Sequence, residues 1–226
     1  MAIRPVFCVK ETQPYFAEES ITFEFNPGFS ATQKRKNISN IHNEFCTRHH
    51  NAKILEISSK SDIFLGTQLS AFCLRVHVGN VETTVESAFQ SGKVFQYGGP
   101  YIDLLTAPSI VAKKDPRLQN SGLLRSFCLD NVSFPLEPKT FFYDWLYLKA
   151  LSENADIAKE LCKYNAFTDI EFNPGKSINC QARSAAIFAS LCKLNMIKEV
   201  MQSPEHFKQI VYGLETSDDT QQMSLF

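Results

Sequence analysis

Residues 85 to 95 read Val-Glu-Ser-Ala-Phe-Gln-Ser-Gly-Lys-Val-Phe (VESAFQSGKVF). Wound at about 100° per residue, Val85, Ala88, Phe89, Gly92 and Phe95 gather on one side as a core-facing stripe. Glu86, Gln90 and Lys93 fall beside it in a narrow polar stripe at i, i+4 and i+7. On a continuous helix over 85–95 the carboxylate and the amine stand roughly 10 Å apart along the axis. That is too long for a tight ion pair and suits two groups that straddle a bound sugar. An amine beside an apolar stripe is desolvated, which lowers its pKa and makes it a nucleophile for a carbonyl-like carbon. An ordinary solvated helix face gives the same spacing, so the stripe alone leaves both readings open.

Elements of β-type composition come first around this stretch and helical ones afterwards. Val6–Val9, Ile21–Phe25, Ile54–Ser58 and Phe72–Val78 read as strands. Ser30 is placed to cap a helix that buries Ile38, Ile41 and Phe45. Beyond Gly98-Gly99-Pro100 the chain is expected to be irregular, broken by Pro108, Pro116, Pro135 and Pro138. Helices are expected over Thr140–Leu151, Asn154–Cys162, Gln181–Asn195 and Pro204–Gly213. The fold class is therefore α+β: one helix-rich domain over 1–213 with a small β-sheet in the N-terminal half, followed by a flexible tail over 214–226.

Composition narrows the function classes. The 226 residues contain nineteen Phe and 44% hydrophobic residues, enough for a substantial core. A formal net charge of −1 excludes a strongly basic DNA-coating protein. Two local clusters, Lys34-Arg35-Lys36 and Lys113-Lys114, fit either phosphate contacts or solvated faces. Seven scattered cysteines without CxxC spacing read as buried thiols in a reducing cytosol. With no membrane-length apolar run, no membrane association is expected and the expected location is cytoplasmic. Adjacent His49 and His50 diverge, and His42 has no carboxylate at ligand spacing, so no metal is expected. Nucleotide-loop, dinucleotide and serine-hydrolase signatures are absent, and no cofactor is implied.

Leu69-Ser70-Ala71-Phe72, Gly79, Val85-Glu86, Phe89-Gln90 and Lys93-Val94-Phe95 together resemble the core signature of NADAR domains. That signature has Asn where Ala71 stands, His at Ser87 and Tyr at Ala88. Downstream, Ala166-Phe167-Thr168-Asp169 with Gly175 and Asn179 is similar to the NADAR ending. Further blocks resemble the branch of NADAR antitoxins found beside DarT-type DNA ADP-ribosyltransferase toxins. These are Ser58-Ser59-Lys60-Ser61, Gly98-Gly99-Pro100-Tyr101, Phe142-Tyr143-Asp144-Trp145 and Asp169–Pro174. The resemblance spans most of residues 50–195. It implies an N-glycosidase that removes ADP-ribose from guanine bases, with ADP-ribosylated DNA as substrate and a DarT-type toxin as counterpart. By position, Lys93 becomes the Schiff-base nucleophile at the ribose anomeric carbon and Glu86 the acid/base. Gln90 stands in the same block.

Phe23–Ser30 (FEFNPGFS) echoes Ile170–Ser177 (IEFNPGKS), each expected to lead from an extended segment through an Asn-Pro-Gly turn into a helix capped by its Ser. Two ligand-free connectors account for the echo as well as a pyrophosphate site at a helix N-terminus does. On the second reading Asn173 and Ser177 are phosphate-side candidates, and Asp169 and Asn179 candidates for ribose or base. Ser59, Lys60 and Ser61 form another candidate contact loop after a strand. Trp145 reads as core, with base stacking the alternative. The polar stretch Glu215–Gln221 leads into Gln222-Met223-Ser224-Leu225-Phe226, which looks like the pentapeptide that docks on the bacterial sliding clamp.

Three functions fit the sequence. One is a DNA-guanine ADP-ribosyl glycohydrolase that reverses a DarT-type toxin. A second is an N-glycosidase for a small ribosyl-amine metabolite of the riboflavin-pathway type. The third is a non-catalytic protein that neutralises a toxin or tethers to the clamp.

Overall fold

The computed structural model describes residues 1–214. β1 (Ala2–Val9) and β2 (Phe16–Phe23) form a hairpin, followed by α1 (Ala31–Arg48) and β3 (Ile54–Glu56). Next come α2 (Phe64–Gln68), the hairpin of β4 (Arg75–Val78) with β5 (Val81–Thr84), α3 (Val85–Ser91) and β6 (Lys93–Phe95). A short 3₁₀ helix at Ile102–Thr106 precedes α4 (Ser109–Lys113), α5 (Arg117–Asn120), β7 (Leu124–Leu129) and β8 (Val132–Phe134). The rest is α6 (Phe141–Glu153), α7 (Ala155–Leu161), β9 (Ala166–Thr168), α8 (Gln181–Lys193), α9 (Ile197–Val200) and α10 (Pro204–Tyr212). The fold is α+β and helix-rich. Among the described residues no helix is long and apolar enough to cross a membrane.

The N-terminal sheet runs β2-β1-β9-β3, so a strand from far downstream lies at its centre. β9 pairs antiparallel with β1 and parallel with β3. Side chains alternate across the pleat. Val6 and Ala166 face α1, where Ile38, Ile41 and Phe45 complete a small core. Phe7, Leu55 and Phe167 face the main core with α6 and α8. The stripe on α1 is the expected one, and its first turn carries a capping box in which Ser30 and Gln33 serve each other's backbone.

Helix α6 is buried almost all round, from Phe141 through Leu151, with Trp145 in the core edge-on to Phe207. Its one buried carboxylate, Asp144, accepts from Arg183 (2.6 Å), Ser184 (2.5 Å) and Tyr212 (2.6 Å). A charge taken out of water needs such donors, and these tie α6 to α8 and α10.

Three expectations are corrected. The helix from Val85 ends at Ser91, with Gly92 as C-cap, and Lys93 opens a strand. Packing forces the change: the Gly92 carbonyl accepts from Cys128 N at 2.7 Å, and β6 pairs with β7 from Lys93↔Phe127 onward. The segment expected to be irregular contains β7 and β8, a hairpin whose two-residue turn puts Asp130 (φ 50°) and Asn131 (φ 63°) in the left-handed region. That is the twist a tight hairpin requires. Of the cysteines expected as buried thiols only Cys180 is buried. Cys73, in the turn after Ser70, is exposed, and the other five are partly buried.

A Cβ on Gly92 would stand 2.9 Å from Phe142 Cζ and 3.0 Å from the Cys128 carbonyl oxygen. Gly92→Ala is expected to destabilise the fold by about 1–3 kcal/mol, the usual cost of forcing a methyl into a packed core. Urea unfolding measures this, and an unchanged midpoint would show that the helix-to-strand junction has slack.

Candidate functional site

Parallel pairing of β3 with β9 (Leu55↔Phe167, Glu56↔Thr168) sends both strands out of the sheet on one side. The chain after β3 becomes the Ser58–Ser61 loop, and the chain after β9 becomes the Asp169–Asn179 loop. One buried amide joins these to the middle of the chain. Gln181, at the start of α8, accepts from Ala71 N at 2.8 Å and donates to the Ile57 carbonyl at 2.6 Å. The Ala71 carbonyl in turn accepts from Glu86 N at 2.9 Å, in the first turn of α3. Thr84 caps that helix through Ser87 N.

These segments enclose a cavity of about 510 Å³, within the usual range of small-molecule clefts. Ser59 and Lys60 line one wall, Glu86, Phe89 and Gln90 a second, and Asp169, Ser177 and Asn179 a third. Three other sequence candidates lie off it. Ser61 is buried beside Gly66, its Oγ accepting from Ile63 N at 3.3 Å. Asn173 spends its Oδ1 on Gly175 N at 3.0 Å, and its carbonyl accepts from Ser177 N at 2.9 Å. Ser177 therefore closes a turn and caps no helix, because α8 begins four residues later at Gln181 behind Cys180. Lys93, moved onto β6, stands beside the cavity with its amine 5.0 Å from the centre of the Phe89 ring.

Glu86 is 8% exposed at its side chain, and its Oε1 takes two partners: Gln90 Nε2 at 2.9 Å and Lys113 Nζ at 3.7 Å. Gln90 Oε1 and Asn179 Oδ1 are buried without a hydrogen-bond partner. Buried acceptors of this kind are costly to leave unpaired and suit a ligand that brings O–H or N–H groups. Burial lowers the proton affinity of the Lys93 amine, with the Glu86 carboxylate opposing the shift and the Lys113 ammonium adding to it. Burial and the nearby Glu56 carboxyl push Asp169 up to about 8, so it carries a proton near neutrality. Glu56 is also raised by burial, although Ile170 N and Thr168 Oγ1 donate to it. One cleft thus joins a desolvated amine at its margin, a carboxylate on α3 and a protonated carboxyl on the opposite loop.

Sequence reading missed Gln181, Phe72 and Tyr143 as cavity residues and left Lys113 between two readings. Phe72 and Tyr143 stand in the blocks that carry the family resemblance but were given no site role, and nothing local marks Gln181. The other basic cluster is held by acidic partners, Lys34 by Glu171 (3.4 Å) and Arg35 by Asp62 (2.8 Å). A model of the DarT1-associated NADAR antitoxin family (NADAR-DarT1) matches residues 2–221. No match was found among curated proteins.

Asp169 supplies a pH test of the site. Its folded pKa of about 8 lies above the ordinary 3.8, so between these values the unfolded chain releases a proton that the folded state retains. The folded state therefore loses stability as pH rises through this window, and the loss levels off above about pH 8. Asp169→Asn keeps an acceptor for Glu171 N and removes the titration. Its unfolding midpoint is expected to gain on wild type steadily from about pH 5 to about pH 8. A pH-independent difference would contradict the assignment.

Proposed function

Since the chain belongs to the DarT1-associated NADAR antitoxin family, we propose that it is an N-glycosidase that removes ADP-ribose from guanine bases in DNA and so reverses a DarT-type toxin. The observation that carries this reading is a cleft lined by Glu86 and by Gln90, whose Oε1 has no partner, with the Lys93 amine, its proton affinity lowered, beside it against the Phe89 ring. The resemblance assigns Lys93 and Glu86 to the nucleophile and acid/base roles; Glu86 lines the cleft and Lys93 stands beside it, its amine against Phe89.

In the reaction the Lys93 amine leaves the face of Phe89 and attacks the anomeric carbon of the ribose. The bond from that carbon to the guanine nitrogen breaks, and Glu86 manages the proton the departing base takes up. Ring opening, with a proton delivered to the ring oxygen, leaves a Schiff base on Lys93. Water adds to the same carbon, the amine departs, and ADP-ribose is released with Lys93 regenerated. Gln90 Oε1 and Asn179 Oδ1 accept from ribose hydroxyls or from the base. Asp169, protonated near neutrality, donates to the same part of the substrate. Ser59, Lys60 and Ser177 complete the contacts, and the turn around Asn173 and the loop around Ser61 hold those contacts in place.

ADP-ribose release from an oligonucleotide carrying ADP-ribosylated guanine tests the reading. Wild type is expected to release it, and Lys93→Ala is expected to be inactive. Glu86→Gln should be slower by about 10²- to 10⁴-fold, the usual worth of a positioned proton-transfer group. No release by folded wild type would sink the reading and favour the metabolite N-glycosidase or the binding protein.

The pentapeptide Gln222–Phe226 lies outside the described residues and beyond the family match, which ends at residue 221. Its Gln and terminal Leu-Phe suit the sliding clamp, which would station the enzyme where modified guanine blocks synthesis. Deleting Gln222–Phe226 is expected to abolish clamp binding in a pull-down and to leave release from free oligonucleotides intact. Retained clamp binding would end this assignment.

A further inference from the structure

Among the described residues, Lys113 is the one lysine of the cavity wall that touches the α3 carboxylate, and its contact is a loose one. Its Nζ stands 3.7 Å from Glu86 Oε1, longer than the roughly 2.7–2.9 Å of a good charge-assisted hydrogen bond. That oxygen already accepts from Gln90 at 2.9 Å. The ammonium also lies over the Phe72 ring, 5.0 Å from its centre, and the side chain is 53% exposed. The backbone beneath it is fixed. Ser109, at the start of α4, bonds both Thr84 Oγ1 (2.7 Å) and the Phe72 carbonyl (3.1 Å). The lysine side chain is therefore free to exchange partners without moving the helix.

We propose that Lys113 binds the diphosphate of the ADP-ribosyl group, exchanging its loose contact with Glu86 for the substrate's phosphate oxygens. This rests on the function proposed above and makes Lys113 the residue that selects a diphosphate-bearing substrate. Two negative charges with free oxygens compete well against one carboxylate oxygen that is already shared. The exchange has a chemical consequence, because Glu86 loses its cation as the substrate seats and becomes available for proton transfer. A substrate without phosphates leaves Lys113 on Glu86. The half-exposed position fits a group that meets its ligand at the mouth of the cleft, with Lys60 on another wall adding positive charge. The ammonium also favours a neutral Lys93, an effect felt by every substrate and therefore separable from selection.

The test compares kcat/KM on oligonucleotides carrying ADP-ribosyl-guanine with those trimmed enzymatically to ribosyl-guanine. Wild type is expected to prefer the diphosphate-bearing substrate. In Lys113→Met the preference should fall by at least about tenfold, mainly through KM, whereas Lys113→Arg should keep most of it. ADP-ribose titrated calorimetrically should bind the Met variant correspondingly more weakly, and the deficit should shrink at high salt. Equal losses on both substrates would reduce Lys113 to a modulator of Lys93 or a structural residue and overturn the proposal. An unchanged ratio would also overturn it. Inactive wild type on both substrates would instead overturn the function beneath it, and the inference with it.

Discussion

The cleft depends on the backbone of Ala71. Its N–H is held by Gln181 Oε1 and its carbonyl by Glu86 N, so one peptide segment fixes α3 relative to α8. Gln181 extends the tie to β3 through the Ile57 carbonyl. Three segments far apart in sequence thus meet at a buried amide whose donor and acceptor are both used. An unpaired amide there would cost about 1–3 kcal/mol for each lost partner, so the arrangement resists partial opening. Because the contacts run through main-chain atoms, the residue at position 71 is free to be Ala where the family signature carries Asn. What the departure removes is a polar side chain, not the link between the two helices.

The same clamp concentrates acidic groups. Parallel strands leaving the sheet side by side bring Glu56 and Asp169 within each other's field, with Glu171 close behind. Two carboxyls in one poorly hydrated place do not both ionise readily, and the structure lets Asp169 keep its proton near neutrality. Glu86 sits across the cleft with two donors of its own, Gln90 and Lys113. The carboxyls therefore differ in environment: Asp169 shares a buried place with other acidic groups, whereas Glu86 faces an amide and an ammonium.

Legibility from sequence followed the range of the forces involved. Ser30 and the Ile38, Ile41 and Phe45 stripe were readable because capping and amphipathic spacing act within a few residues, and α6, α8 and α10 were readable for the same reason. β9 was missed as a strand, being three residues whose conformation is set by partners about 110 and 160 positions away. The β7–β8 hairpin was hidden by flanking prolines, although Asp130-Asn131 is a turn pair. The two Asn-Pro-Gly echoes read alike and fold differently. Ser30 has a helix to cap, whereas Ser177 is followed by Ile178, Asn179 and Cys180 before α8 begins.

Lys93 shows most clearly how tertiary packing overrides a spacing read from the local sequence. The i, i+4, i+7 stripe places the amine on the same rod as Glu86, and Gly92 breaks that rod. Nothing within residues 85–95 forces the break. It comes from Phe142 and the Cys128 carbonyl, which leave no room for a side chain at position 92, and from β7, which captures the next three residues. The amine then folds back over Phe89, whose ring is packed against Phe127, Phe142 and Tyr143. Its desolvation is therefore a property of an aromatic cluster drawn from α3, β7 and α6, not of a helix face.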